Sequence, residues 1–293
     1  MFELIQNAED NQYTKAAKVA FAGEEPFLNF TFHPEKIVID SNEDGFEEKH
    51  VVAICKVTQS TKTTNQQQHR YIGEKGIGFK SVFKVASKVH IQSEPFSFSF
   101  KHTRGEPGLG MVTPFFEEPQ TLPLNIRTRI TLFLGPTTDS AKLIKEVTDP
   151  EILPDSVLMF LTKLKTFTVA IFNSMGLESE TKYSYQYNAA DRRSVVTKTT
   201  LRDAPKVTQY YVTRRMVGNL PKDVHRQGQN QAEVVLAFPF DSRSIPIIEQ
   251  QHVFAYLPVR QVGFNVSTTV CSKSTNLCSF SIVPNPIRLC RSR

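Results

Sequence analysis

Three glycines within six residues place the tightest local constraint on this chain. They are Gly73, Gly76 and Gly78, in the stretch Tyr71–Phe83 (YIGEKGIGFKSVF). Only thirteen glycines occur in all 293 residues, so the concentration marks a backbone built to turn and to admit another group closely. Successive N–H groups in such a turn can converge on one anion. Apolar residues Ile77, Val82, Phe83, Val85 and Ala86 follow at helical spacing. The spacing predicts a helix over 79–88 whose N-terminus favours phosphate.

Two familiar phosphate motifs fail on this stretch. A P-loop reads G-x-x-x-x-G-K-[ST]. Gly73 and Gly78 satisfy the glycine spacing, but Phe79 stands where the lysine belongs and Lys80 comes one place late. The dinucleotide fingerprint fails at Ser81, where a third glycine is required. The pattern G-x-x-G-x-G-F-K-S is open to two readings, a phosphate cradle or a tight structural turn.

Composition narrows the classes. Apolar residues make up 40% and charged residues 22%, the balance of a globular protein with a sizeable core. No apolar run approaches the ~20 residues of a membrane span, and the opening MFELIQNAEDN is too acidic and polar for a signal peptide. The expectation is an intracellular protein, cytoplasmic or nuclear, with no membrane partner. Net charge is +6 and the pI about 9.1. The charge is scattered apart from Arg192–Arg193, Arg214–Arg215 and the tail Arg288–Arg293, which argues for a solvated basic surface over a nucleic-acid patch. Cys271 and Cys278 have six residues between them, outside zinc-knuckle spacing, and with Cys55 and Cys290 they are assigned neither metal nor disulfide.

Along the chain, 2–22 reads as a helix with Glu3, Asn7 and Asp10 on one face at i, i+4 and i+7. Strands are predicted at 27–32 and 36–40, the second running into Ser41-Asn42-Glu43-Asp44-Gly45-Phe46. A helix at 47–57 precedes Thr58–Arg70, a polar run that cannot bury itself and is expected to be a lid-like loop. Strands follow at 89–91, 96–100, 110–114 and 129–134, helices at 139–147 and 156–165, and a strand at 167–172. Beyond 173 strands dominate. The predicted organisation is α+β: residues 1–175 as the first domain, 176–266 as a β-rich module and 267–293 as an irregular tail.

Three stretches, taken in order, resemble the GHKL ATPases, which include gyrase, the large heat-shock chaperones, histidine kinases and MutL proteins. They are Glu3-Leu4-Ile5-Gln6-Asn7-Ala8-Glu9-Asp10, Asn42-Glu43-Asp44-Gly45-Phe46 and Gly73-x-x-Gly76-x-Gly78-Phe79-Lys80-Ser81. Arg127-Thr128-Arg129-Ile130, entering a strand, is similar to the family's distal threonine segment. The phrases NEDGF and YIGEKGIGFKSVF are most similar to the sacsin and No Vein-like branch, including its long fungal proteins. The resemblance covers roughly residues 1–172 and, more weakly, 173–266.

It implies a Bergerat-fold α/β sandwich, a sheet backed by helices, followed by a β-rich module. It also implies ATP and Mg²⁺ as cofactors. Glu3 would orient the attacking water and Asn7 would ligate Mg²⁺, with Asp10 near the ribose or holding the lid. Gly73, Gly76, Ile77 and Gly78 would cradle the phosphates beside Lys80, and Phe79 would pack near base or sugar. Gly45 and Thr128 would stand on the adenine side. The family's base-reading aspartate has no unique counterpart: Ser41 falls at its place, Asn42 and Asp44 are the favoured substitutes, and Asp40 is adjacent. Arg260 is a candidate for the γ-phosphate.

Glu3 lies in the first helical turn, which frays most readily. The expectation is a chain shortened at its N-terminal side that hydrolyses ATP weakly. The function implied is a weak Mg²⁺-dependent ATPase that closes a lid in a chaperone-like or regulatory protein, acting on protein clients or on further domains of a longer chain. The alternatives are a module that holds ATP without turnover or has degenerated into an interaction surface, and a nucleic-acid-associated ATPase. A histidine kinase would need a phospho-accepting histidine on a dimerisation helix, and the seven histidines stand mostly in strands and loops.

Overall fold

The computed structural model describes residues 1–18, 24–56, 80–101, 114–219, 231–255, 257–262 and 267–271. Its α-helices are short: α1 (Phe2–Asp10), α2 (Thr14–Lys18), α3 (Glu48–Lys56) and α4 (Ser140–Thr148). Two 3₁₀ turns, η1 (Lys80–Lys84) and η2 (Asp155–Met159), accompany them. The first strands are β1 (Phe27–Phe32), β2 (Lys36–Ser41), β3 (Ala86–Ser93), β4 (Phe96–Lys101), β5 (Phe115–Phe116), β6 (Thr128–Leu134) and β7 (Thr166–Asn173). Then come β8 (Gly176–Asn188), β9 (Arg193–Thr200), β10 (Lys206–Val217), β11 (Ala232–Phe240), β12 (Gln251–Ala255), β13 (Leu257–Val262) and β14 (Ser267–Cys271).

All fourteen join one sheet, in the order β13-β12-β14-β11-β10-β9-β8-β7-β1-β2-β6-β3-β4-β5. The pairings β1–β7 and β12–β14 are parallel. The expected helix-backed Bergerat sandwich with a separate β-rich module is therefore not the architecture. The structure is mostly β, and its sheet continues from β7 into β8 across the expected boundary at 175/176, which falls in the turn of that hairpin.

The physical cause lies in three predicted helices. The helix over 2–22 stops at Asp10 because tertiary partners take its backbone groups. The Tyr13 hydroxyl donates to Ala8 O (2.9 Å), Lys163 Nζ donates to Asp10 O (3.0 Å), and Asp44 N–H donates to Gln12 O (2.8 Å). The helix over 79–88 is a single 3₁₀ turn that yields to β3, where Ala86, Val89 and Ile91 are buried and β6 supplies the ladder. Pairing with a neighbouring strand overrode a periodicity that fits either state. Residues 156–165 hold only η2 and an irregular segment. The lid-like run Thr58–Arg70 and almost all of the strand predicted at 110–114 lie outside the described residues.

Period-two alternation sorts the two faces of the sheet. Leu28, Phe30, Phe32, Ile37, Ile39, Val89, Ile91 and Leu132 are buried on the face that α1 and α4 cover through Leu4, Ile5, Ala8, Leu143 and Val147. Phe30 packs edge-on to Phe167 at 5.5 Å between centroids, across the β1–β7 pair. The opposite face is polar here. Register aligns Asn29, Asp40, Arg129, Gln92 and Ser97 in one row, and Asp40 holds Arg129 bidentately at 2.7 and 2.8 Å. Gln92 is bonded to both main-chain groups of Gln120, which straps the segment before β6 onto this face. No helix among the described residues is long and apolar enough to cross a membrane.

Candidate functional site

The site begins with the two sides of α1. Leu4, Ile5, Ala8 and Glu9 are buried, whereas Glu3 and Asp10 are exposed and Asn7 is half-buried. None of the side chains of Glu3, Asn7 and Asp10 makes a hydrogen bond or ion pair with a described residue. Glu9 is the opposite case, 6% exposed and fully engaged. Its carboxylate accepts from the Thr162 N–H and hydroxyl, from Lys163 N–H (2.9 Å) and from Leu164 N–H (3.1 Å). α1 is thus fixed by one acid and presents three other polar groups outward.

Glu3 borders a cavity of about 190 Å³ with Leu4, Ser81, Val82, Lys84, Leu132, Leu143 and Glu146. The predicted water-orienting acid is therefore beside the residues that follow the glycine stretch. The volume is below the ~300–1,000 Å³ of pockets that take whole small ligands. Gly73, Gly76, Ile77, Gly78 and Phe79 lie outside the described residues, as does the side chain of Lys80. Arg260 stands in β13 opposite Val253, and nothing is described of its side chain.

The second half of the site is the end of the sheet where β2, β3 and β6 meet. Ser41 and Ser93 are each the register partner of Thr128. Thr128 is 3% exposed, its hydroxyl 2.6 Å from Ser93 Oγ, and Ser93 Oγ accepts the Phe46 N–H at 2.8 Å. This chain of contacts fixes the 42–46 turn against the strand ends. Gly45 is required there. Its φ is +89°, and a Cβ would come within 2.2 Å of Glu94 Cγ. Glu94 itself has φ 52° and pairs with Lys15 at 2.7 Å.

The base-reading candidates separate. Asn42 is fully buried, with its amide between Phe27 N–H (2.9 Å) and Glu25 O (3.0 Å), and its main-chain oxygen accepts from Arg127 (2.9 Å). Asp44 receives the Thr14 hydroxyl and Lys15 N–H, both at 2.7 Å, and so holds the start of α2. Burial pushes the Asp44 carboxyl up, but those donors and the Lys15 charge outweigh it and hold the carboxyl below the ordinary aspartate range. Asp40 is on the other face with Arg129. Ser41 shares the buried polar corner with Thr128 and Ser93.

Sequence reading passed over Glu9 and Lys163. A signal for Glu9 was present, since it lies one turn from Ile5 on the apolar stripe, where a carboxylate requires a buried partner. Nothing local to Lys163 points back across 153 residues to Asp10.

No family model matches the chain. The chain is similar to protein NO VEIN of Arabidopsis thaliana. The two are 38% identical over 122 residues, which is 42% of this chain and 4% of that protein. This chain therefore spans a small part of the length of NO VEIN, and the match supports a partial relationship of the NO VEIN and sacsin kind. Among solved structures, the crystal structure of the N-terminal domain of a DNA repair protein aligns with a TM-score of 0.41 at 10% identity, covering 92% of this chain and 81% of that one.

Proposed function

We propose that this chain binds Mg²⁺-ATP as a GHKL-type nucleotide module and turns it over slowly. The observation that carries the reading is the division of labour on α1. Glu9 is tied into the core, and Glu3, Asn7 and Asp10 remain without partners among the described residues, at the spacing of a carboxylate, a metal-ligating amide and a second acid. The partial identity with NO VEIN accords with the No Vein-like character of the motifs, and the nucleotide reading rests on α1.

Mg²⁺-ATP, when bound, would supply the phosphoanhydride and a divalent charge on its phosphates. Asn7 offers an amide oxygen to the metal. No group of three or more His, Cys, Asp or Glu among the described residues is placed to hold a metal ion, so phosphate and water ligands would complete its shell. Glu3 orients water from the exposed first turn of α1. By the resemblance, Gly73, Gly76 and Gly78, which lie outside the described residues, would give backbone N–H groups to the phosphates. Thr128 and Ser41 serve the base side in preference to Asn42 and Asp44, whose polar atoms already hold the chain together.

The test is ATP turnover followed with radiolabelled nucleotide in the native chain and in Glu3→Ala. A slow rate that falls by about a hundredfold or more in the variant supports an ATPase. Equal rates favour the second reading, in which ATP is a structural ligand only. That reading gains from the exposure of Glu3, whose carboxylate has no partner among the described residues.

A further inference from the structure

We propose that the segment Phe160–Lys165 couples α1 to β12, with Glu9 as the positioning residue at the α1 end. Glu9 and Asn7 are two residues apart, about 200° around the helix, so the group that anchors α1 and the group offered to a ligand are on opposite sides. The anchor is reciprocal. Glu9 accepts from three successive backbone N–H groups at 162–164, and Lys163 Nζ returns to Asp10 O and Asn11 O at the end of the helix. Charge-assisted hydrogen bonds of this kind are directional, so a shift of α1 breaks them or drags the segment with it.

The same segment grips the β-rich half of the sheet. Phe160 stacks on Phe254 of β12 with centroids 4.0 Å apart, and Phe254 is fully buried. Outside the segment, His252, next but one along β12, makes a further 3.2 Å hydrogen bond to the main-chain oxygen of Glu151. Lys165 O accepts the Tyr185 N–H of β8 at 3.0 Å, and its ammonium sits over the Tyr185 ring. Glu9, on the side of α1 away from Asn7, is bonded to 162–164, and Phe160 of the same segment stacks on Phe254 of β12, so the path from α1 to β12 runs through this segment. A ligand that moves α1 must therefore change the packing of β12, and a change at β12 must alter ligand affinity equally. That ligand is Mg²⁺-ATP if the reading of α1 given above holds, but the mechanical link does not depend on it.

Amide hydrogen exchange of the full chain, read by segment, tests both parts. Without nucleotide, Glu9→Gln and Lys163→Met should each speed exchange about tenfold or more in 4–10, 160–165 and 251–255, while β2 and β6 stay within about twofold of the native chain. Lys163 carries the test if the Glu9 variant does not fold, because the ammonium lies near the surface. Acceleration that stops at 160–165, or that spreads equally to β2 and β6, overturns the coupling. With a saturating non-hydrolysable ATP analogue and Mg²⁺, the native chain should slow exchange at 251–255, and Lys163→Met should lose that slowing. An analogue that binds without slowing 251–255 overturns the signalling role. Absence of analogue binding removes the nucleotide reading, and the first comparison still decides the link.

Discussion

Gly45 shows how one residue fixes the 42–46 turn. Its left-handed φ and the 2.2 Å approach to Glu94 Cγ mean that Gly45→Ala must shift Glu94 and disturb its pair with Lys15. The variant should lose about 1–3 kcal/mol in urea unfolding. Asp44 gives a pH signature. Its folded-state pKa is lowered, so the stabilisation is fully present above the ordinary aspartate value and is lost as pH falls through the lower folded value. The acid limb of the unfolding profile, measured below about pH 4, should be flatter in Asp44→Asn than in the native chain. An unchanged limb would mean that the α2 start is not held by this carboxylate. At this scale the sequence showed which residues stand at the turn, but not how they are used. Asn42 and Asp44 are two residues apart and chemically alike, and only the Thr14 hydroxyl and the backbone groups brought to them from 15 and 25–27 assign both to holding the chain.

Among elements, β1, β2, β4 and β6 were legible because apolar and polar residues alternate in them and turn residues bound them. The first turns of α1 were legible for the same kind of reason, and α4 also has the Asp139 side chain accepting from Lys142 N–H at 3.1 Å. The end of α1 and the start of β3, which was read as part of a helix over 79–88, were not. Both depend on partners remote in sequence: Lys163 and Asp44 for the helix, β6 for the strand. The β2–β6 pair makes its own prediction. Asp40 and Arg129 are register partners joined by two charge-assisted bonds on the polar face. Asp40→Ala leaves the guanidinium half-buried and unmatched, and should cost about 3 kcal/mol by chemical denaturation. A loss indistinguishable from zero would place this pair with ordinary surface ion pairs.

At the scale of the molecule, the continuous sheet is what sequence reading missed. Most of the chain past 173 reads as strands, although 267–271, expected within an irregular tail, is strand β14; a change from mixed to β-rich composition looks like a boundary. Whether β7 hands the sheet on to β8 is settled by register across the hairpin, which composition does not carry. The proposed nucleotide function rests on the polar groups of α1 that have no partner among the described residues, and isothermal titration calorimetry of the full chain with a non-hydrolysable ATP analogue and Mg²⁺ tests it. One saturable site is predicted, weakened about tenfold or more by Asn7→Ala. No binding heat at millimolar analogue, or equal affinity in the Asn7 variant, would contradict it.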